Sequence, residues 1–242
     1  MTTAVSVNLT CAQLDGLIYV VPDAPLTPLG KKQTAALAPQ IPDLHKSVDL
    51  IVTSALKRTL QSTKLGWGPA IDRLGIKNVI CLPQAQECND HPCDTGSSRE
   101  DLESLDEFKD FNLELLTPDW NTKKGFYGIE PSHFPRRFPL ILSLAADPQS
   151  LADRARWVRQ FLRDRPETEI VLVAHGDFLR RITCTAEGPS TYQWRNAEVR
   201  VFEFDPKTVE GLDCFLYQRE DVAAAGGYAP TNTEMDILKE HL

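Results

Sequence analysis

The stretch from Val171 to Arg181 reads VLVAHGDFLRR and gives the clearest indication of the fold. Its apolar start predicts a buried strand over Ile170–Ala174, after which Gly176 lets the chain turn into a helix over Asp177–Cys184. In open α/β sheets, ligands bind outside the carboxyl ends of the strands. His175 stands at such an end and is a candidate site residue, whereas a lone histidine elsewhere is more often structural.

The rest of the chain repeats this alternation of strand and helix. Apolar runs of strand length are separated by helical patterns, which predicts a three-layer α/β fold with a mostly parallel central sheet and helices on both faces. Thr27-Pro28 and Asp147-Pro148 each read as the start of a helix. The predicted strands are Val5–Leu9, Leu50–Thr53, Asn78–Leu82, Ile170–Ala174, Val199–Phe204 and Cys214–Tyr217.

A length of 242 residues is consistent with one domain over residues 1–242. Residues 95–145 interrupt the alternation with prolines and aromatic residues, and this insertion is either a lid over the strand ends or a surface excursion. Residues 222–242 are predicted to be a tail of low order.

The helix after Pro148 has an apolar face and four arginines. The simplest interpretation of the arginines is a solvated face, and the alternative is a surface that binds a partner. They are Arg154, Arg156, Arg159 and Arg163.

Composition narrows the class of partner. A net charge of −8 argues against a nucleic-acid surface, which needs a basic stripe. The sequence contains neither a signal-peptide pattern nor an apolar run long enough for a membrane helix. Six scattered cysteines are typical of reduced thiols, so a cytoplasmic protein is expected. Cys88, His91 and Cys93 lack the paired spacing of a zinc site, and neither a metal nor another cofactor is expected.

Three further blocks accompany the His175 stretch. They read PDAPLTPLG from Pro22 to Gly30, TSALKRTLQST from Thr53 to Thr63, and LPQAQECNDHPCDTG from Leu82 to Gly96. Together the four blocks resemble the histidine phosphatase superfamily, in its phosphoglycerate-mutase-like branch, and most closely the fungal members. The resemblance extends over nearly the whole chain and implies a phosphoglycerate-mutase-like fold.

The resemblance also implies roles for particular residues. Arg58 stands in the family's Ser-x-Leu-x-Arg pattern and would grip phosphoryl oxygens, for which the planar guanidinium is suited. Glu87 matches the acid that protonates the leaving oxygen. An exposed helix arginine and a solvated loop carboxylate are the alternatives. Ser54 and Gly176 would line the substrate site.

The chain departs from the family at the residue that begins its chemistry. The family has a strand followed by Arg-His-Ala-Gln where this chain reads SVNLTCAQ from Ser6 to Gln13, so Thr10 replaces the arginine and Cys11 the nucleophilic histidine. The phosphohistidine mechanism should therefore not operate. Cys11 is either an alternative thiolate nucleophile or a small space-filling residue, and Thr10 and Gln13 are candidate substrate-binding residues.

An acid, a base and an anion-binding arginine thus remain without the phosphoryl acceptor. This combination predicts an enzyme that acts by acid/base chemistry on a small anionic or carbonyl-bearing metabolite, as an isomerase, cyclase, dehydratase or lyase. The fungal resemblance suggests secondary metabolism. The alternatives are a phosphomonoesterase that uses Cys11 or water, and a non-catalytic pseudophosphatase that binds a ligand or a protein.

Overall fold

A computed structural model of the protein describes residues 3–8, 21–123 and 148–228. Its strands are β1 (Thr3–Asn8), β2 (Leu50–Thr53), β3 (Ile80–Cys81), β4 (Glu169–Ala174), β5 (Glu198–Phe204) and β6 (Leu216–Gln218). They form a six-stranded sheet in the order β3-β2-β4-β1-β5-β6. The first four strands are parallel, and β5 and β6 are antiparallel to their neighbours.

All six predicted strands are present; β2 has the predicted bounds, and the other five have shifted ends. Leu9, the last residue of the first predicted strand, lies outside the described residues. The third strand is shorter than predicted because Ile76–Asn78 forms a 3-10 turn before β3. A short strand suits this place, since β3 is at an edge of the sheet and exposes few unpaired backbone groups there.

Six α-helices flank the sheet in the described part of the chain. They are α1 (Pro28–Ala35), α2 (Pro42–Ser47), α3 (Lys57–Leu74), α4 (Arg99–Ser104), α5 (Pro148–Arg163) and α6 (Gly176–Ile182). As predicted, Thr27 caps α1, because its Oγ1 accepts a hydrogen bond from the backbone N–H of Gly30 at 3.1 Å. Within the described ranges, no helix combines the length and the apolar character that crossing a membrane requires.

The side chains of β4 alternate between two apolar layers. Val171 and Val173 pack on the side of α3, whereas Ile170, Leu172 and Ala174 pack on the side of α5 and α6. The layer on the α3 side includes Leu60, Trp67 and Ala70, and the other includes Leu151, Val158, Leu162, Phe178, Leu179 and Ile182. This is the predicted three-layer arrangement, in which helices bury both faces of a mostly parallel sheet.

The prediction of a solvated arginine face on α5 was wrong for two of its members. Arg154 is fully buried and Arg159 is 2% exposed, while Arg156 and Arg163 do reach the surface. Aromatic rings cover the two buried guanidinium groups, with Arg154 4.6 Å from the ring centre of Phe178 and Arg159 5.4 Å from that of Phe215. Guanidinium groups are weakly hydrated and stack on aromatic faces, which reduces the cost of burying them.

The structure describes parts of the predicted insertion and tail. Residues 95–123 contain α4 and place Phe111 and Trp120 in the core, while residues 124–147 lie outside the described residues, so the lid stays a prediction. At the other end, Ala225 and Tyr228 form backbone bridges with Val199 and Asn196. Residues 229–242 of the predicted tail are outside the described part.

Candidate active site at the carboxyl edge of the sheet

Two neighbouring parallel strands bring Ser54 and His175 together. Ser54 follows β2 and His175 follows β4, and the Ser54 backbone N–H donates to the Val173 carbonyl at 2.8 Å. This hydrogen bond extends the pairing of β2 with β4 by one residue beyond the end of β2. The two side chains therefore meet, with His175 Nε2 2.9 Å from Ser54 Oγ.

The neighbours of His175 determine its tautomer. Arg58 Nη2 lies 3.0 Å from His175 Nδ1, and because a guanidinium nitrogen can only donate, Nδ1 must be the acceptor. The ring proton is then on Nε2, which donates to Ser54 Oγ. Complete burial, with the positive charge of Arg58 next in importance, lowers the pKa of His175 well below its usual value. His175 is thus a neutral imidazole.

Arg58 is held by protein groups on several sides. It is 2% exposed, and its Nη1 donates to the Cys93 carbonyl at 2.6 Å while Nη2 donates to Asp94 Oδ1 at 2.8 Å. The alternative of an exposed helix arginine is therefore wrong. A bound anion would have to exchange with the Asp94 carboxylate for the same nitrogen.

Glu87 is buried beside this pair, so it is not a solvated loop carboxylate. Its Oε1 accepts from the Cys88 backbone N–H at 2.7 Å, and its Oε2 lies 3.9 Å from His175 Nδ1 and 4.0 Å from Arg58 Nη2, beyond hydrogen-bond range. Burial, assisted by the Asp94 carboxylate and opposed by Arg58, raises the pKa of Glu87 to about 7. Near neutral pH this carboxyl can therefore either give or take a proton.

Two further cations hold the main chain at Glu87. Lys123 Nζ donates to the Glu87 carbonyl at 2.7 Å, and Arg154 Nη2 donates to the same oxygen at 3.2 Å. Burial, followed by the charge of Arg154, lowers the pKa of Lys123. The site thus combines two carboxyl groups with three cationic groups in a buried region. The carboxyl groups are those of Glu87 and Asp94, and the cationic groups are those of Arg58, Lys123 and Arg154.

Asp23 anchors the loop that carries Asp94. Its Oδ1 accepts from the Lys57 backbone N–H at the start of α3, and its Oδ2 accepts from the Ser97 N–H, each at 2.9 Å. Between these points Gly96 lies against buried Trp120, so close that a Cβ on residue 96 would be 2.1 Å from the indole. A glycine is therefore required at position 96 for close packing against Trp120. The hydrogen bonds of Asp23 and this packing together hold the loop that carries Asp94 in place.

The structure brings together Ser54, Arg58, Glu87 and His175, and it places Gly176 as the first residue of α6. Of the other predicted site residues, Thr10, Cys11 and Gln13 lie outside the described residues. Three neighbours of Glu87 and Arg58 were not predicted, namely Asp94, Lys123 and Arg154. Asp94 belongs to the conspicuous 82–96 block, whereas nothing in the sequence pattern distinguishes Lys123 or Arg154.

The described part of the chain offers no group of three or more His, Cys, Asp or Glu side chains that could hold a metal ion. Cys88, next to Glu87, is no nucleophile in this state, because burial raises the pKa of its thiol to about 12. Near neutral pH the carboxyl of Glu87 can exchange a proton, beside a neutral His175 and an Arg58 that is already bonded to Asp94.

Residues 9–110 match the model of the histidine phosphatase superfamily, branch 1. This match covers 102 of the 242 residues. Ser54, Arg58 and Glu87 of the site lie within the matched segment, and His175 is brought to them by β4. The predicted resemblance to this superfamily is thereby confirmed.

Two curated relatives agree with this match. The chain is 26% identical over 151 residues to a protein of Schizosaccharomyces pombe named a probable phosphatase, covering 62% of each chain. It is 28% identical over 183 residues, 65% of this chain, to a phosphoglycerate mutase-like protein of Arabidopsis thaliana. It covers 62% and 58% of these two relatives' lengths, about three fifths.

The fold is also that of a phosphoserine phosphatase from Entamoeba histolytica, solved in complex with phosphoserine. The TM-score is 0.52 at 18% identity, and the superposition covers 91% of this chain and 96% of the other. At 18% sequence identity, the similarity between the two structures shows a shared fold only. Together with the sheet described above, it confirms the predicted phosphoglycerate-mutase-like architecture.

Proposed function

We propose that this protein is a member of the histidine phosphatase superfamily and an acid/base enzyme for a small anionic or carbonyl-bearing molecule. The observation that supports the proposal best is the state of Glu87. Its carboxyl is 7% exposed, its pKa is raised to about 7, and its Oε2 is near His175 and Arg58 without a hydrogen bond to either. A titrating carboxyl with a free oxygen is what general acid/base catalysis requires.

In the proposed reaction, Glu87 exchanges a proton with the substrate through Oε2. The neutral His175 is a positioning residue, because its Nδ1 orients Arg58 and its Nε2–H is committed to Ser54. Arg58 supplies positive charge for an anionic group or a developing oxyanion, in exchange with Asp94. The reaction class is an isomerisation, cyclisation, dehydration or lyase reaction, each of which needs a proton moved at one atom.

The sequence at Thr10-Cys11 supports chemistry without a phosphohistidine. This segment lies within the residues matched by the family model but outside those described by the structure. We expect negligible hydrolysis of p-nitrophenyl phosphate by the wild type. The double variant Thr10→Arg with Cys11→His tests whether only this motif prevents it, and rapid hydrolysis by the wild type would contradict the proposal.

A phosphomonoesterase is the second candidate, and the names of the relatives favour it. The matched Schizosaccharomyces pombe protein is named a probable phosphatase, and the compared structure from Entamoeba histolytica is a phosphoserine phosphatase. In that case Glu87 would protonate the leaving oxygen, and Cys11 or water would attack phosphorus. Cys11→Ser would then abolish p-nitrophenyl phosphate hydrolysis if the thiolate is the nucleophile and leave it intact if water is.

One experiment separates the candidates while the substrate is still unidentified. Protein-free extracts of small metabolites are incubated in D2O with the wild type or with Glu87→Gln and compared by mass spectrometry. Acid/base catalysis is supported if a metabolite gains one deuterium, or is converted to an isomeric or dehydrated product, with the wild type but not with Glu87→Gln. Loss of a phosphate group from one metabolite indicates a phosphatase, and an unchanged extract indicates a binding protein. The place of the reaction in fungal secondary metabolism stays a prediction.

A further inference from the structure

A cavity lies at the C-terminal end of α6, whereas His175 of the candidate active site precedes the N-terminal end of this helix. Arg181 is in the last turn of α6, which extends about 10 Å for its seven residues. The cavity has a volume of about 350 Å³, at the lower end of the usual range for ligand sites. Its walls include Arg156, Arg159, Arg181, Cys184, Asp213 and Phe215.

We propose that this cavity is a second binding site, which receives the phosphate group of a small molecule. The proposal is independent of the reaction proposed for the first site, because the two sites share no lining residue. It is based on the hydrogen bonds of Arg159, the surroundings of Arg181 and the balance of charge around both.

Arg159 is a buried cation that is only partly satisfied by the protein. Its Nε donates to the Asp213 carbonyl at 2.7 Å, and its Nη1 lies 3.2 Å from the Arg181 carbonyl and 3.3 Å from Cys184 Sγ. The Cys214 thiol is a further hydrogen-bond partner of its side chain, and no carboxylate of the described residues forms an ion pair with it. A guanidinium that is 2% exposed and lines a cavity in this way lacks an anionic partner.

Arg181 adds a second charge of the same kind. It is half-buried at the end of α6 and lines the cavity, and its side chain forms no ion pair with the residues that the structure describes. The one carboxylate in the wall, that of Asp213, is 2.9 Å from Arg156 Nε, and Arg156 also pairs with Asp153. The three arginines around the cavity thus exceed the two neighbouring carboxylates by one positive charge, in a chain whose net charge is −8.

The arrangement favours phosphate over carboxylate. The two arginines come from different helices, α5 and α6, and both line the same cavity. The guanidinium fork of Arg181 alone satisfies the two oxygens of a carboxylate, whereas a tetrahedral phosphate offers further oxygens to the positive charge of Arg159. The ring of Phe215 and the side chains of Ala152 and Pro189 form an apolar wall for the rest of the molecule.

Cys184 provides a local reporter for this cavity. Its thiol is half-buried in the wall, while Cys81, Cys88, Cys93 and Cys214 are buried. The wild-type protein is treated with iodoacetamide in increasing inorganic phosphate, with sodium chloride or sodium acetate at equal ionic strength as controls. Peptide mass spectrometry then gives the alkylation rate of Cys184 alone. Phosphate bound at the first site would not shield this thiol.

We expect the alkylation rate of Cys184 to fall in a saturable way, by about ten-fold when phosphate reaches roughly ten times its dissociation constant. Arg181→Gln should remove this protection. Arg180→Gln, which changes the adjacent residue of α6 that bonds to Ser190 and lies outside the cavity wall, should retain it. If Arg181→Gln does not fold, Arg181→Lys retains the charge without the fork and should weaken the protection.

The proposal is overturned if phosphate leaves the alkylation rate unchanged, or if acetate or chloride protects equally well. It is also overturned if Arg181→Gln, or Arg181→Lys in its place, is protected as strongly as the wild type.

Discussion

The two ends of α6 handle buried positive charge in opposite ways. At the first end, Arg58 is bonded to Asp94 and stands near Glu87, so this guanidinium is matched by a carboxylate inside the protein. At the last turn, Arg159 and Arg181 line a cavity without a carboxylate partner in the described residues. A matched cluster can control where a proton resides, whereas an unmatched one requires an anion from solution.

The helix itself contributes to this difference. Asp177 is in the first turn of α6 and Arg180 and Arg181 are in the last turn, which is the favourable arrangement of charge along a helix dipole. Arg181 can thus stabilise α6 even without a ligand. Arg159 belongs to another helix and gains no such benefit from its own position in the chain. The two arginines are therefore best tested separately from each other and from Arg58.

The largest effect is expected on the stability of the matched end. Arg58→Leu should lower the free energy of unfolding by about 3–5 kcal/mol, because Asp94 would be left buried without its cation. Arg181→Gln, at the unmatched end, should change it by at most about 1 kcal/mol. Urea unfolding of both variants measures the contrast.

The combination of Arg58→Leu with Asp94→Asn is the control for this contrast. It removes both charges and should recover part of the loss, as expected for interacting residues. Similar small losses for Arg58→Leu and Arg181→Gln would show that the two ends do not differ.

The next effect concerns catalysis. Glu87→Gln should lower turnover about 10²-fold or more, the usual contribution of a positioned acid or base. His175→Ala should lower it similarly, since Arg58 would lose the nitrogen that orients it. Cys11→Ser should be mild if Cys11 only fills space. The deuterium-incorporation assay measures all three, and a collapse with Cys11→Ser alone would indicate covalent catalysis by cysteine.

A pH dependence of stability should accompany the raised pKa of Glu87. Between its ordinary pKa of 4.5 and the folded value of about 7, the folded state keeps a proton that the unfolded state has lost. Stability from this group is thus complete below pH 4.5 and is lost as the pH rises through about 7, with a slope of at most about 1.4 kcal/mol per pH unit.

Urea unfolding between about pH 5 and 6.5 of the wild type and of Glu87→Gln tests this slope. The decline should be shallower in Glu87→Gln, and that variant should be the more stable one at neutral pH. Burial lowers the pKa of Lys123, so this side chain loses a proton on folding and its contribution to stability changes with pH in the opposite direction. The measured pH range therefore stops below neutrality. Parallel pH profiles would show that Glu87 has an ordinary pKa.

The smallest effect should come from ligand binding at the unmatched end. Inorganic phosphate at roughly ten times its dissociation constant should stabilise the wild type by about 1.4 kcal/mol relative to Arg181→Gln. Thermal unfolding at constant ionic strength measures this difference. Equal stabilisation of the wild type and Arg181→Gln would place any bound phosphate elsewhere in the protein.

The sequence alone was sufficient for the order of the six strands along the chain and for the positions of Arg58, Glu87 and His175 after strand ends. These features depend on local patterns, such as the apolar run before His175 and the glycine after it, and parallel strands bring their carboxyl ends to one edge. The replacement at Thr10-Cys11 is likewise visible only in the sequence, since the structure does not describe these residues.

Only the tertiary structure decided which charges are buried and what they contact. Arg154 and Arg163 look alike in the helical pattern of α5, yet Arg154 is fully buried and bonds to the Glu87 carbonyl 67 residues away, while Arg163 pairs with exposed Asp164. The tautomer of His175 similarly follows from Arg58, 117 residues distant. Helical periodicity defines a face of a helix, but burial of that face depends on what packs against it, and no local pattern contains that information.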